Sequence, residues 1–243
     1  MKVLGIIPAR FASSRFPGKP LIDLKGKTMI QRVYEGAKKS TLLSEVIVAT
    51  DDQRIYDEVM RFGGKAMMTS ENHPSGTDRC GEVASQFSEI DVVVNIQGDE
   101  PLVNFQQIDD LISAFNDVNT QIATLGIYEV TADDLMNTNR IKIVVDHNQN
   151  ALYFSRSSIP NAANFNGDSL LFYPFYRHIG LYAYRIETLR EIIELAPTLL
   201  EKIESLEQLR WMYYGYKIRV VTTDIETPNI DVPEDLGKVL PFL

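Results

Sequence analysis

Cysteine is nearly missing from this sequence: Cys80 stands alone among 243 residues. A single thiol forms no internal disulfide and supplies no metal-ligand spacing, so a disulfide-stapled scaffold is excluded, and Cys80 reads as a small packed residue in a reducing compartment. Histidine is scarce as well; the three present show no ligand spacing, which argues against a zinc centre. Long apolar runs are also lacking. Segments such as Leu4-Gly5-Ile6-Ile7 and Val92-Val93-Val94 fall far short of the roughly 20 residues of a membrane-spanning helix. The first residues carry one lysine and pass at once into a strand-like segment, without the pattern of a secretory signal, so a cytoplasmic location is expected. Excess positive charge is missing too. The net charge of −9 argues against a nucleic-acid-binding surface, which rests on many Lys and Arg contacts to phosphates. Any phosphate bound here must meet a local basic site.

What is present is ordinary globular material, 44% hydrophobic and 23% charged, enough for one large core or one core with an appended lobe. Apolar, β-branched runs at Val3–Ile7, Glu45–Ala49, Lys65–Met68 and Asp91–Ile96 alternate with amphipathic stretches near Thr28–Lys39 and Asp52–Phe62. This rhythm predicts a parallel sheet covered by helices. Gln121–Val130, Ile141–Asp146, Ala151–Ser155 and Arg177–Arg185 read as further strands, and the polar Asp146–Asn150 turns one of them back as a hairpin. Ser205–Tyr214 reads as one helix ending at Gly215, Lys217–Val221 returns to the sheet, and Pro233–Leu240 is a last short element. The expected fold is therefore α/β: a Rossmann-like, three-layer, mixed but mainly parallel sheet with helices on both faces, plus an antiparallel extension. Repeats, low-complexity tracts and long linkers are absent.

The first strand runs into Arg10-Phe11-Ala12-Ser13-Ser14-Arg15-Phe16-Pro17-Gly18-Lys19-Pro20, which puts Arg10, Arg15 and Lys19 on one loop at a strand's carboxyl end. Ligands bind there in α/β sheets. Three cations in an acidic protein, interleaved with Ser13, Ser14 and Gly18, suit a triphosphate, although a solvated basic loop has the same composition. The loop matches neither Gly-x-Gly-x-x-Gly nor the Walker pattern, so dinucleotide oxidoreductases and P-loop enzymes lose ground. Val92-Val93-Val94-Asn95-Ile96-Gln97-Gly98-Asp99-Glu100-Pro101 has the same form, a buried strand ending in polar groups. Asp99 then sits near the phosphate loop, where one carboxylate suffices to recruit a magnesium nucleotide. Asp231, with Glu234 three residues on, offers a second carboxylate or a helix capping box. Asp51-Asp52 reads as a helix cap, and Arg79, after the Ser75-Gly76-Thr77 turn, reaches a ligand or a surface carboxylate. Arg156 and His178 fall on or beside apolar strands, where an isolated histidine is more often structural.

Together these segments resemble the 3-deoxy-manno-octulosonate cytidylyltransferases, the CMP-Kdo synthetases, over essentially the whole chain. Ile7-Pro8-Ala9-Arg10 through Lys19-Pro20-Leu21, Ala49-Thr50-Asp51-Asp52, Ser75-Gly76-Thr77-Asp78-Arg79, Asn95 through Leu102, Tyr153-Phe154-Ser155-Arg156 with Ile159-Pro160, His178-Ile179-Gly180, Leu206-Glu207-Gln208-Leu209-Arg210 and Pro233-Glu234-Asp235-Leu236 occur in the family's order. Val232, where Thr is frequent, and Met212-Tyr213-Tyr214 are the departures.

The resemblance implies transfer of CMP from CTP to the sugar acid, with release of pyrophosphate, for lipopolysaccharide biosynthesis. It implies that Arg10, Ser13, Arg15 and Lys19 hold the CTP phosphates, with Ser75 and Arg79 near the nucleotide. Asp99 and Asp231 would be magnesium ligands. Arg10, Arg15, Lys19, Asp99 and Asp231 would be the catalytic set, while Gln97, Arg156, His178, Glu207 and Gln208 surround the sugar acid, with Arg156 suited to its carboxylate. The expected partners are CTP, a 2-keto-3-deoxy sugar acid and a second copy of the chain, with no nucleic acid or membrane. In this reading the chain is one domain, 1–243, with a nucleotide core (1–126 and 217–243) and a sugar-binding, dimerising subregion (127–216). A cytidylyltransferase for a sialic-type nine-carbon acid is the nearest rival, but its loop usually ends in Lys-Asn where this chain has Lys19-Pro20, and Leu206-Glu207-Gln208-Leu209-Arg210 also favours Kdo; 8-amino-Kdo, one substituent away, is not told apart. A catalytically silent nucleotide-binding protein would have lost a loop cation or Asp99, and neither is lost.

Overall fold

The computed structural model describes every residue except Ser13, Ser14, Arg15, Glu129 and Asp231. At its centre lies β1 (Val3–Ala9), whose side chains alternate between two faces, both covered. It pairs in parallel with β2 (Glu45–Thr50) and β4 (Val92–Asn95), and β2 pairs in parallel with β3 (Ala66–Met68) at one edge. Beyond β4 runs β8 (Tyr176–Arg185), antiparallel to both β4 and β5 (Ile122–Ile127); β9 (Ile218–Thr223) lies parallel to β5. The sheet order is β3-β2-β1-β4-β8-β5-β9, and the hairpin of β6 (Lys142–Val145) and β7 (Ala151–Ser155) joins it where β6 pairs with the start of β8.

Helices cover both faces because the central strands β1, β2, β4 and β5 bury both sides. α1 (Met29–Ala37), α2 (Gln53–Arg61), α4 (Phe105–Ser113) and the short α10 (Leu236–Val239) pack with Val3, Ile7, Val48 and Leu125 on one face. α3 (Gly76–Ser85), α7 (Ile186–Ile192) and α9 (Gln208–Tyr213) pack with Leu4, Ile6, Val93 and Tyr184 on the other, where Trp211 stands edge-on to Tyr182 and Tyr184. Three shorter helices, α5 (Ala132–Met136), α6 (Ser169–Phe172) and α8 (Leu199–Glu204), bury no residue fully. Cys80 is completely buried on α3, where desolvation pushes its thiol well above the usual range. Among the described residues, no helix is long and apolar enough to cross a membrane.

Three boundaries differ from the sequence reading. Ser205 adopts a left-handed conformation (φ 52°) that ends α8, so the expected helix Ser205–Tyr214 begins later, as α9 at Gln208, and α8 precedes it. β5 ends at Ile127, short of Val130. The last element is a 3₁₀ turn, Pro233–Asp235, followed by α10; its cap position falls on Val232, whose N–H donates to the Asp235 carboxylate at 3.1 Å, while the capping reading of Asp231 lies outside the described residues. The expected cap at Asp52 is present: its carboxylate accepts from the Arg54 N–H at 2.9 Å.

Candidate active site

β1 and β4 are adjacent and parallel, so their carboxyl ends deliver Pro8, Ala9 and Arg10 beside Gln97, Gly98 and Asp99. The approach is close enough to require glycine: a Cβ on Gly98 would lie 2.8 Å from the Pro8 carbonyl oxygen. The basic loop closes on itself where the Gly18 N–H donates to the Phe11 carbonyl at 3.0 Å, and Gly18 turns with φ 72° into the 3₁₀ turn that carries Lys19. Lys19 then points back across the strand ends. Its ammonium donates to Asp99 Oδ2 and to the Ile230 carbonyl, each at 2.8 Å. Two hard oxygens from separate segments thus converge on one cation, a donor set that also suits Mg²⁺.

A cleft of about 240 Å³ opens over these groups, lined by Arg10, Lys19, His73, Ser75, Arg79, Gln97 and Asp99 among others. Arg10 is exposed at its wall. Arg79 is buried and anchored: it pairs with Asp51 at 2.6 Å and donates to the Thr69 hydroxyl, tying α3 to the end of β2. Ser75 is the N-cap of α3, accepting from the Asp78 N–H at 3.2 Å. Its hydroxyl and that of Thr77 donate to the two oxygens of Glu207, each at 2.9 Å. Burial raises the Glu207 carboxyl above its ordinary range, and the two hydroxyls partly offset this. Glu207 therefore binds the wall of the nucleotide-side cleft from below.

A second cleft, of about 490 Å³, shares Gln97 and Asp99 with the first and continues along Asn137, Asn139, Arg140, Arg177, His178 and Gly180 to Asn229 and Lys238. The register of β5 against β8 slips between Thr124 and Leu125, leaving Gly180 and Leu181 outside the regular ladder. Gln97 Nε2 donates to the Gly180 carbonyl at 2.9 Å there. Such irregularities re-aim strands beside functional sites. The Thr124 hydroxyl donates to the Leu181 carbonyl at 2.9 Å and so accepts from His178 Nε2 at 3.0 Å, placing the imidazole proton on Nε2. Phe154 and Tyr182 pack against the ring, each with centroids 5.3 Å away. Burial and then the Arg177 charge push His178 down to about 3, so it is neutral near pH 7.

Two sugar-side expectations fall behind the cleft walls. Arg156 directs its guanidinium at backbone carbonyls, Nε to Glu204 at 2.7 Å, Nη1 to Thr138 at 3.0 Å and Nη2 to Ser205 at 3.3 Å. Gln208 is buried on α9. Arg156 works beside a lysine that sequence reasoning missed. Lys142 is fully buried, and its ammonium donates to the carbonyls of Asn137, Arg140 and Arg156 at 3.0, 2.6 and 2.6 Å. Burial lowers its pKa. The two cations together fix the turn 137–140, a wall of the second cleft.

Ser13, Arg15 and Asp231 lie outside the described residues. The sequence reading also missed His73, Glu100, Arg140, Arg177 and Lys238, all at the clefts. Burial, then the adjacent Asp99, pushes Glu100 up to about 8. Arg177 was legible only as the neighbour of His178, and Arg140 only as the end of a polar turn.

A family model for cytidylyltransferases matches residues 4–218. The chain is 53% identical to a 3-deoxy-manno-octulosonate cytidylyltransferase of Parabacteroides distasonis, over 100% of its own length and 98% of the relative's. Identity to a protein of that name from Bacteroides thetaiotaomicron is also 53%, with the same coverage. The solved structure of a CMP:2-keto-3-deoxy-manno-octonic acid synthetase complexed with CTP matches with a TM-score of 0.93 at 42% identity, covering 100% of this chain and 98% of that one.

Proposed function

Since this chain belongs to the 3-deoxy-manno-octulosonate cytidylyltransferase family, we infer that it transfers CMP from CTP to the anomeric hydroxyl of 3-deoxy-D-manno-octulosonate, releasing pyrophosphate. The observation that carries this reading is the pair of adjoining clefts that share Gln97 and Asp99. One cleft lies over the cationic loop and suits the triphosphate; the other suits the sugar acid. Their shared wall is where the two substrates would meet.

Nucleotidyl transfer needs positioning and charge neutralisation more than a protein nucleophile. Arg10 and Lys19, with Arg15 and Ser13 of the same loop, hold the phosphates in this reading, and Arg79 and Ser75 shape the cleft through their own anchors. Asp99 and Asp231 would hold Mg²⁺, whose bound charge stabilises the phosphate oxygens as negative charge redistributes. Gln97 is fixed by the Gly180 carbonyl and orients the sugar side. His178 presents a neutral ring held by Thr124 and is assigned to orientation, not proton transfer. Glu207, Arg156 and Gln208 set the walls from behind.

Cleft linings support the division into a nucleotide core, 1–126 with 217–243, and a sugar-side subregion, 127–216. The first cleft is lined from the core alone, while the second adds residues of the subregion. Homodimer formation through 127–216 is supported by exposed apolar side chains there, and a cytoplasmic location by the lone, buried cysteine. A role in lipopolysaccharide biosynthesis rests on the family resemblance.

The test is pyrophosphate release from CTP with three acceptors in parallel: Kdo, 8-amino-Kdo and a sialic-type acid. Kdo is expected to give the highest kcat/KM. A preference for either other acid would move the assignment to that substrate, and no release with any of them would refute it.

A further inference from the structure

Between the end of β9 at Thr223 and the turn at Pro233, the described residues form neither helix nor strand. Residues 224–230 therefore keep their place through individual contacts. Gln107 Nε2 donates to the Ile225 carbonyl at 2.8 Å. At the other end, the Ile230 N–H donates to the Asp99 carbonyl at 3.0 Å, and its own carbonyl accepts from Lys19 at 2.8 Å. Between them, Glu226 pairs with two arginines that line the second cleft. One of its oxygens lies 2.9 Å from Arg177 Nη2 and 3.5 Å from Arg140 Nη1.

The partners of Glu226 come from separate parts of the chain. Arg177 is on β8, with a side chain only 7% exposed, and Arg140 is on the turn before β6, at 38%; both line the second cleft. A carboxylate between two guanidiniums offsets their mutual repulsion. Without it, Arg140, the more exposed of the two, is expected to turn toward Asp134, now 3.7 Å away, and the wall shifts with it. Segment 224–230 would then lose its tie to that wall while keeping Gln107 and the contacts at Ile230.

Resting on the reading of the second cleft as the sugar-acid site, we propose that Glu226 is a positioning residue: by bridging Arg140 and Arg177 it ties segment 224–230 to the sugar-side wall of that cleft. Glu226 does not touch substrate in this assignment. Its carboxylate joins the sugar-side wall to the segment that meets the phosphate-side groups.

The experiment compares Glu226→Gln, Glu226→Ala, Arg140→Gln and the double variant Glu226→Gln/Arg140→Gln with the parent. It reads KM for Kdo, KM for CTP, thermal midpoint, and amide hydrogen exchange of residues 224–230 in the substrate-free protein. Expected for Glu226→Ala is a rise in KM for Kdo of about tenfold, with KM for CTP changed less than about twofold. Faster exchange confined to 224–230 should accompany it, Gln should be the milder change, and the double variant should fall short of the product of the single effects. Parental KM for Kdo and parental exchange in both Glu226 variants would overturn the proposal. So would a parallel rise in both KM values with a large fall in thermal midpoint, which marks a merely structural role. If the parent itself does not use Kdo, the functional reading fails, and hydrogen exchange still decides whether Glu226 holds the segment.

Discussion

Asp99 stands 2.8 Å from Lys19 at the carboxyl end of β4 and carries a demand that a neutral isostere cannot meet. Asn keeps the shape and an acceptor oxygen but removes the charge that offsets dehydration of a divalent cation. Asp99→Asn is therefore expected to lower kcat/KM by about a hundredfold or more and to raise the Mg²⁺ requirement, with the thermal midpoint little changed; pyrophosphate release titrated with Mg²⁺ checks both. Asp231→Asn should behave alike if Asp231 is a metal ligand, whereas near-parental activity would return it to helix capping. His178 makes a prediction about pH. Its folded pKa, about 3, lies below the ordinary histidine value of 6.5, so the unfolded state binds the proton first. The stability tied to the neutral ring is full above about pH 6.5 and is lost as pH falls toward 3. His178→Gln, which lacks this titration, should be less stable than the parent at pH 7 through lost packing. The gap should narrow by pH 5, on the order of 1 kcal/mol after allowance for the ring's partial exposure. Urea unfolding at both pH values reads this, and a gap independent of pH would sink it. Arg10, Lys19 and Asp99 were legible in the sequence because they fall on the loops that leave two buried strands. Arg140, Arg177 and Glu226 were not, because their meeting depends on the register that sets Lys142 opposite Arg177.

Among the elements, the approach of β4 to β1 is the tightest constraint on the site. An alanine at Gly98 would drive a methyl into the Pro8 carbonyl, and backbone cannot yield as a side chain tip can. Gly98→Ala should cost about 1–3 kcal/mol and displace Asp99, so activity should fall further than stability alone explains. Parental activity in a normally folded variant would contradict the close approach. The turn 137–140 depends on Lys142 in a different way. Lys142→Met fills similar volume but leaves three carbonyls without their ammonium, so a loss of roughly 2–4 kcal/mol is expected in urea unfolding. Strands β1, β2 and β4 were legible because their apolar β-branched runs end sharply in polar residues. The start of α9 was hidden: Leu206 keeps helical spacing with Leu209, yet it lies in the link that follows the left-handed Ser205.

For the molecule as a whole, the mixed, mainly parallel sheet with two covered faces followed from alternation of strand and helix patterns, and the antiparallel hairpin from its polar turn. Strand order was beyond that reading, because insertion of β8 between β4 and β5 is a long-range pairing. What the sheet and its helices leave uncovered points to the last prediction. Met136 (78%), Leu171 (80%), Phe172 (73%), Leu199 (77%) and Ile203 (82%) are exposed, all within 127–216 and all on or beside the short helices that bury nothing fully. A monomer gains nothing from such side chains, whereas a twofold interface needs an apolar centre on the same surface of both copies. The chain is therefore expected to be a homodimer by light scattering at micromolar concentration. Leu171 and Phe172 sit together on α6, so Leu171→Glu/Phe172→Glu places two like charges per copy into any interface that uses this helix. The double variant should shift toward monomer while the monomer fold, which buries neither side chain, keeps its far-ultraviolet circular dichroism. A parent that is monomeric at these concentrations would refute the dimer itself. A dimer untouched by the α6 charges would instead move its interface to another face of 127–216, with Leu199 and Ile203 of α8 as the next positions to charge.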